Sequence, residues 1–454
     1  MLVLRSKILY FCELSNISSS VLMKSKKILV WFRNDLRLHD NEMLVEAIAK
    51  SDSILPVYFF DPRYFEPTPQ GTFKSGALRT KFLIESVEAL RISFQNLGGN
   101  ILILKGKPEE LLPELVEQYD IAEVYHHREV GPEETKISAY AEDRLWKLRI
   151  NLRHFIGHTL YNKEDLPFPI KDIPDAFTQF KKKTERDAIV KACFLAPEVI
   201  SFEEAEDWGQ VPALEELLQE MSIDETELFP SICGGEPEGL KHLKQLLEEG
   251  SDVYQKVPAK LSAGKQGFSS KLSAWLSFGC LSPRMVYWLV KDAEDKYGAN
   301  PNFNQILLGL LWRDYFRFMF KKHGMDFFND AVLEFDQAPL TEEERERWLQ
   351  WMKGQTGNPL VDKYMGELNQ TGFIPHSARL LTATFLIHVL KINWVRGATY
   401  FEERLIDYSP ASNWCNWAIV AGGGKDQGSK KNTFDLDKQF KLLNVQISDL
   451  PAAF

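Results

Sequence analysis

Along the first third of the chain, short apolar runs alternate with stretches in which apolar residues recur every three or four positions. Ile28-Leu29-Val30-Trp31-Phe32 is uninterrupted and ends in polar Arg33-Asn34-Asp35, after which Leu44, Val45 and Ile48 fall on one helical face. Ile54 to Phe60 is a second run, Lys81 to Leu97 an amphipathic helix, Ile101 to Leu104 a third strand and Ala122 to Tyr125 a fourth. Strands that are apolar on both faces and alternate with helices predict a parallel sheet covered on both sides. Residues 24–155 are therefore expected to form an α/β, Rossmann-like domain. Between 160 and 225 the rhythm stops, broken by Pro167, Pro169, Pro174, Pro197 and Pro212, and a long interdomain linker is expected over 156–227. From Gly234 the period is helical. Leu240, Leu243, Leu246 and Leu247 share one face, as do Leu307, Leu310, Leu311 and Tyr315, which predicts an all-α domain over 228–454.

A chain of 454 residues exceeds what one core usually organises, in keeping with two domains. With 44% hydrophobic and 26% charged residues it has the composition of an ordinary folded protein. The net charge of -10 means that any nucleic-acid contact must come from a local basic face, since clustered Lys and Arg supply phosphate attraction. Lys181-Lys182-Lys183 is such a run, although a basic run is commonly a solvated face. The five cysteines are far apart, with no CxxC pair and no zinc spacing, so a reducing cytoplasm and no metal site are expected. No apolar run approaches the roughly 20 residues of a membrane span. Residues 1–23 precede a second methionine, Met23, and read as an N-terminal appendage rather than a targeting signal. The first strand is followed by neither a GxGxxG nor a Walker loop, so the fold alone leaves the function open.

Six separated segments narrow it. They are Trp31-Phe32-Arg33-Asn34-Asp35-Leu36-Arg37-Leu38-His39-Asp40-Asn41, the run from Ser269 to Arg284 (Ser269-Ser270-Lys271-Leu272-Ser273-Ala274-Trp275 onward), Leu311-Trp312-Arg313-Asp314-Tyr315-Phe316-Arg317-Phe318, Asn358-Pro359-Leu360-Val361-Asp362, Thr371-Gly372-Phe373, and Asp407-Tyr408 with Ser412-Asn413-Trp414-Cys415-Asn416-Trp417. In this order and spacing they resemble the photolyase and cryptochrome superfamily from Lys27 to about Leu443. Leu166-Pro167-Phe168-Pro169-Ile170 followed by Ile173-Pro174-Asp175-Ala176-Phe177-Thr178-Gln179-Phe180 resembles the DASH branch.

The resemblance implies FAD in the helical domain. Tyr254, Ser269, Ser270, Leu272 and Ser273 stand where the family binds the pyrophosphate, with free N–H groups expected if a helix starts there. Arg313 and Ser409 also stand at matching flavin positions. Arg379 matches an arginine beside the isoalloxazine ring, Asp407 its acidic partner, and Asn413 the residue facing flavin N5. The bland alternatives are an N-cap with surface serines and a structural ion pair. Trp417 and Trp394 match two members of an electron-donating tryptophan chain. The third position, ten residues before Trp351, holds Thr341, with Trp348 and Trp414 open as substitutes. Flavin photoreduction slower or less complete than in a member with all three is the expectation. Glu129 matches an acid that contacts a folate antenna, 5,10-methenyltetrahydrofolate; read alone, it is an exposed acid at a helix start.

The DNA-repair pocket of the family is altered here. Its dimer-binding glutamate is replaced by Gly309, a loss that typically costs about 2.7–4 kcal/mol of barrier. His376-Ser377 stand for an Asn-Arg pair, Ser409 for an acid and Ile419 for an aromatic, leaving Trp312 as the remaining stacking residue for DNA. His376 matches a proton-donating histidine of photolyases that act on the (6-4) photoproduct, but their second histidine is Leu380 here. The leading expectation is thus a monomeric, cytoplasmic, blue-light-responsive DASH-type flavoprotein whose signalling partner is unknown. The alternatives are dimer repair in single-stranded DNA, and a non-catalytic nucleic-acid-binding or interaction module.

Overall fold

The computed structural model of the chain describes residues 25–219, 221, 232–254, 268–328, 339–422 and 436–443. The appendage expected over 1–23 and the domain boundary expected at 228 lie outside the described residues. Strands β1 (Lys27–Phe32), β2 (Ser53–Phe60), β3 (Leu102–Lys105), β4 (Glu123–His127) and β5 (Asn151–Phe155) form one sheet in the order β3-β2-β1-β4-β5. All four pairings are parallel. The fifth strand, Asn-Leu-Arg-His-Phe, is missing from the sequence expectation because, as an edge strand with only Leu152 and Phe155 buried, it carries no continuous apolar run. The Lys81-to-Leu97 helix starts earlier, at Ala77.

Both faces of the sheet are buried, which is why β1 and β2 read as unbroken apolar runs. Leu29, Trp31, Leu55, Val57 and Phe59 pack under Leu112 and Val116 of the Pro108–Tyr119 helix and Ile137, Ala141 and Leu145 of the Pro132–Lys147 helix. The opposite face, with Ile28, Val30, Phe32, Ile54 and Phe60, belongs to a core that continues without interruption into the helical half. The segment 156–219 folds back on the sheet: Ile54 N donates to Ser201 O at 2.9 Å and Ile103 N to Trp208 O at 3.0 Å. It contains one substantial helix, Phe177–Asp187.

The helical half begins at Glu236–Leu247 and includes Ser273–Ser277, Pro283–Tyr297, Pro301–His323, Glu342–Lys353, Pro359–Thr371, His376–Thr384, Trp394–Arg404 and Pro410–Val420. Ser282, Asn300, Asn358 and Asn393 accept backbone N–H groups at helix starts, as short polar side chains do. Among the described residues no helix is long and apolar enough to cross a membrane.

Two quoted motifs meet at the seam between the halves. Arg37 is fully buried and donates to four carbonyls, those of His39 (3.1 Å), Asp40 (3.1 Å), Gly157 (2.9 Å) and Gly279 (2.8 Å). Gly279 has φ +66°, and a Cβ there would stand 1.9 Å from Asn34 O, so glycine is required by both conformation and space. Asp40 holds Arg284 through bonds of 2.6 and 3.0 Å.

Candidate flavin site

A pocket lies among His376, Arg379, Asp407, Ser409, Asn413 and Trp417, with Leu380, Phe401 and Tyr408 also in its wall. His376, Arg379 and Leu380 come from the His376–Thr384 helix, Phe401 from Trp394–Arg404, Asn413 and Trp417 from Pro410–Val420, and Asp407, Tyr408 and Ser409 from the connection between the last two. Arg379 and Asp407, separated in sequence, are paired here at 2.7 Å, and Arg379 Nε donates to Ile374 O at 2.9 Å. The Asp407 carboxylate is nearly inaccessible, and while Oδ2 is held by Arg379, Oδ1 is buried with no hydrogen-bond partner. A buried, unpaired oxygen is costly, and a ligand donor entering the pocket would satisfy it. Asn413 is buried and donates Nδ2 to Ala398 O at 3.0 Å, which fixes the amide and leaves Oδ1 as an acceptor. Ser409 precedes the Pro410–Val420 helix and its carbonyl accepts from Asn413 N at 2.9 Å.

His376 opens its helix at the pocket edge. Much of its own surface is open, yet surrounding protein and the charge of Arg379 lower its pKa to about 4. Its imidazole is therefore neutral near pH 7 and is not a ready proton donor.

The second group of expected residues lies along the Pro301–His323 helix. Tyr254 packs edge-on against Phe303 and donates its hydroxyl to Leu247 O at 3.0 Å. A helix does start at Ser273, one residue after buried Leu272, and Ser270 O accepts a hydrogen bond from His242 Nε2 at 2.8 Å. Residues 255–267, between Tyr254 and these serines, lie outside the described residues. Arg313 is placed by its helix beneath this segment, where its guanidinium donates to Leu276 O and His158 O, each at 2.6 Å. Burial lowers its pKa to about 10, still cationic at neutral pH.

Trp417 is buried in the pocket wall. Its ring edge lies against Gly397, where a Cβ would stand 2.2 Å from Trp417 Cη2, on the same helix as Trp394. Trp394 meets Trp414 with ring centroids 5.7 Å apart. On another side Trp417 meets Trp351 at 6.3 Å, and Trp351 stacks on Trp348 at 5.4 Å. Thr341, at the position of the third tryptophan, is an N-cap: its Oγ1 accepts from Glu344 N at 3.3 Å, and Glu344 Oε2 accepts from Thr341 N at 2.8 Å.

Two expectations change on inspection of the fold. Glu129 is not an exposed acid. It is buried, with Oε2 accepting from Arg317 at 2.9 Å, Oε1 accepting from Asn34 at 3.2 Å and lying 3.1 Å from His158 Nε2. The salt-bridge distance to His158 is short, but the imidazole is not aligned for a hydrogen bond. Burial opposes the charge on Glu129, yet His158 and Arg317 hold its pKa well below the usual carboxylate range. Both oxygens are thus occupied by the protein across the domain seam. Trp312, expected to stack a base, already stacks on Phe177 with ring centroids 3.5 Å apart and planes 11° apart. The gap at Gly309 is open space, with no atom within 4 Å of an added Cβ. Phe177 and Tyr408 escaped sequence reasoning; both lay inside quoted motifs, and their partners could not be read locally.

The paired Arg379 and Asp407, the fixed Asn413 amide and the unsatisfied Asp407 oxygen fit a flavin. The comparisons with known proteins agree. The DNA photolyase family matches residues 28–198, and the FAD binding domain of DNA photolyase matches 306–445. The chain is 41% identical over 404 residues to a cryptochrome DASH of Gloeobacter violaceus, covering 89% of this chain and 81% of that protein. It is 36% identical over 419 residues to a cryptochrome DASH of Xenopus laevis, covering 91% and 80%. The crystal structure of a Synechocystis sp. cryptochrome superimposes with a TM-score of 0.81 at 37% identity, covering 92% of this chain and 86% of that one. The chain therefore belongs to the photolyase and cryptochrome family, as an FAD-binding flavoprotein of the cryptochrome DASH type.

Proposed function

We propose that the chain is a blue-light-responsive electron-transfer protein in which Trp417 and Trp394 deliver electrons to the flavin pocket. The single observation that carries this reading is the pocket itself, where a fixed cation, a fixed amide and a buried indole converge on one cavity. FAD, when bound, supplies blue-light absorption and an excited state that oxidises indole. Arg379, anchored by Asp407 and Ile374 O, holds positive charge where electron density would accumulate, and the attraction is stronger away from bulk water. Asn413 offers Oδ1 to a protonated ring nitrogen. Gly397 lets the Trp417 ring touch the backbone of the helix that carries Trp394.

Dimer repair is the weaker reading. A flipped base that stacked on Trp312 would have to displace Phe177, and the carboxylate expected to bind the dimer is absent at Gly309. A cytoplasmic location is part of the proposal and rests on the free thiols of Cys193, Cys233, Cys280 and Cys415. The test is the absorption spectrum of the purified protein before and after blue light, with a thiol donor present. Bleaching of the oxidised flavin bands is expected, and their persistence under light would reject the proposal.

A further inference from the structure

The flavin pocket is not built by the helical half alone. Asp407, Tyr408 and Ser409 lie in the connection between the Trp394–Arg404 and Pro410–Val420 helices, and both halves of the molecule grip that connection and the turn of helix before it. From the helical half, Gly372 O accepts from Ile406 N at 3.0 Å and Arg379 donates to Asp407 Oδ2 at 2.7 Å. From the α/β half, Phe73 N donates to Glu403 Oε2 at 2.7 Å, Gly76 N to Glu403 O at 2.9 Å and Arg79 Nη1 to Glu402 O at 3.3 Å. The Arg79 guanidinium also lies 4.4 Å from the centre of the Tyr408 ring. None of residues 73–79 falls in a motif that resembled the family. We propose that residues 73–79 of the α/β half clamp the flavin site, with Arg79 the positioning residue that sets Asp407 through Tyr408.

The clamp rests on the flavin site and not on the electron path. Its approach is close: a Cβ on Gly76 would stand 2.7 Å from Glu403 O, so glycine is required there. Arg79 is itself fixed, since Nη1 also donates to Lys74 O at 2.8 Å. Its charge attracts the π system of Tyr408, and the Tyr408 hydroxyl accepts from Trp414 Nε1 at 3.2 Å, so the ring is held at its face and at its tip. Asp407 and Ser409 are its chain neighbours on either side, joined through planar peptides, and they shift if Tyr408 moves. Asp407 has one oxygen on Arg379 and the other buried without a hydrogen-bond partner, left for a donor of the ligand. A ligand that needs that oxygen in one place binds more tightly when the protein holds it there beforehand. The coupling is reciprocal, so FAD in the pocket tightens the contacts between the halves by the same factor.

Arg79 has a second route to the cofactor. Its guanidinium lies 6.0 Å from the centre of the Phe278 ring, which follows the Ser273–Ser277 helix at the expected pyrophosphate segment. That contact is longer, and the hydrogen bonds of Arg79 go to Lys74 O and Glu402 O instead. The two routes differ in one measurable respect: an effect through Phe278 adds to the loss of Asp407, whereas an effect through Tyr408 does not.

The experiment is a double-mutant cycle on FAD affinity, read by fluorescence titration of the unloaded full chain in the dark. Arg79→Met, which removes the charge and the donors but keeps an unbranched side chain, should raise Kd about ten-fold in the wild-type background and less than roughly three-fold when Asp407→Asn is already present. An unchanged Kd in the single variant overturns the clamp, and an equal effect in both backgrounds overturns the route through Asp407. A second measurement needs no variant: amide hydrogen exchange of the wild type with and without FAD. The Phe73 and Gly76 amides, which reach across to Glu403, should exchange about ten-fold more slowly with FAD bound, relative to the Ile54 and Ile103 amides, which bond elsewhere on the sheet. An equal change at all four amides is general stabilisation and overturns the clamp. A wild type that takes up no FAD removes the flavin site itself, a separate outcome.

Discussion

At the scale of single residues, the site depends on how a few charges are held. Asp407 is nearly inaccessible while Arg379 keeps about a quarter of its side-chain surface, so the pair lies between a surface bridge and a fully buried one. Asp407→Asn leaves the guanidinium held by Ile374 O but without a counter-charge. We expect FAD affinity to fall by about 2 kcal/mol, roughly thirty-fold in Kd, read by fluorescence titration of the unloaded protein with FAD. Asn413 is more tolerant of redox change because its amide is neutral. These two positions were legible in the sequence because each sits inside a motif. Glu129 was not, because exposure is a property of the packed molecule: Arg317 and His158, which bury it, come from elements far along the chain.

At the scale of elements, one close helix approach fixes where the Trp417 ring lies. Gly397 lies inside the Trp394–Arg404 helix, where alanine would ordinarily be better by about 1 kcal/mol. The added Cβ would meet Trp417 Cη2 at 2.2 Å, Trp417 Cζ3 at 2.5 Å and Leu386 Cδ2 at 2.6 Å. Trp417 is packed against Phe401 and Trp351 and cannot yield cheaply. Overpacking, on the order of 1–3 kcal/mol, outweighs the helix preference. Gly397→Ala should therefore lower Tm and slow flavin bleaching together; a higher Tm would show that Trp417 gives way. Thr341 illustrates the opposite case. The departure at the third tryptophan position is explained locally, since Thr341 and Glu344 form a capping box that starts the Glu342–Lys353 helix. The Phe177–Asp187 helix was hidden in a proline-broken segment, and its stacking on Trp312 joins elements that no local pattern connects.

At the scale of the whole molecule, the two halves share one core and a seam of buried charge. His158 lies in that seam, where burial lowers its pKa from 6.5 to about 4. Between these values the unfolded chain binds a proton that the native protein does not, so stability falls as pH falls from about 6.5 to 4. One group shifted this far contributes on the order of 3 kcal/mol to that loss. Glu129, whose native pKa is depressed, adds a loss of the same sign as pH falls below the ordinary carboxylate range. Thermal melts from pH 8 to 4 should show a steady decline that His158→Gln flattens between 6.5 and 4. An equal slope in the variant would place the acid sensitivity elsewhere.

The periodicity of apolar residues by itself determined the two layers, because strand and helix patterns are encoded within a few neighbouring positions. The ordered motifs likewise determined the family and its cofactor. Tertiary structure alone decided which side chains are buried and which meet: Phe177 on Trp312, Trp351 on Trp348, and Trp414 on the Tyr408 hydroxyl. Such contacts join residues whose separation along the chain carries no signal, and they form only when whole elements pack and each side chain settles into the space its neighbours leave.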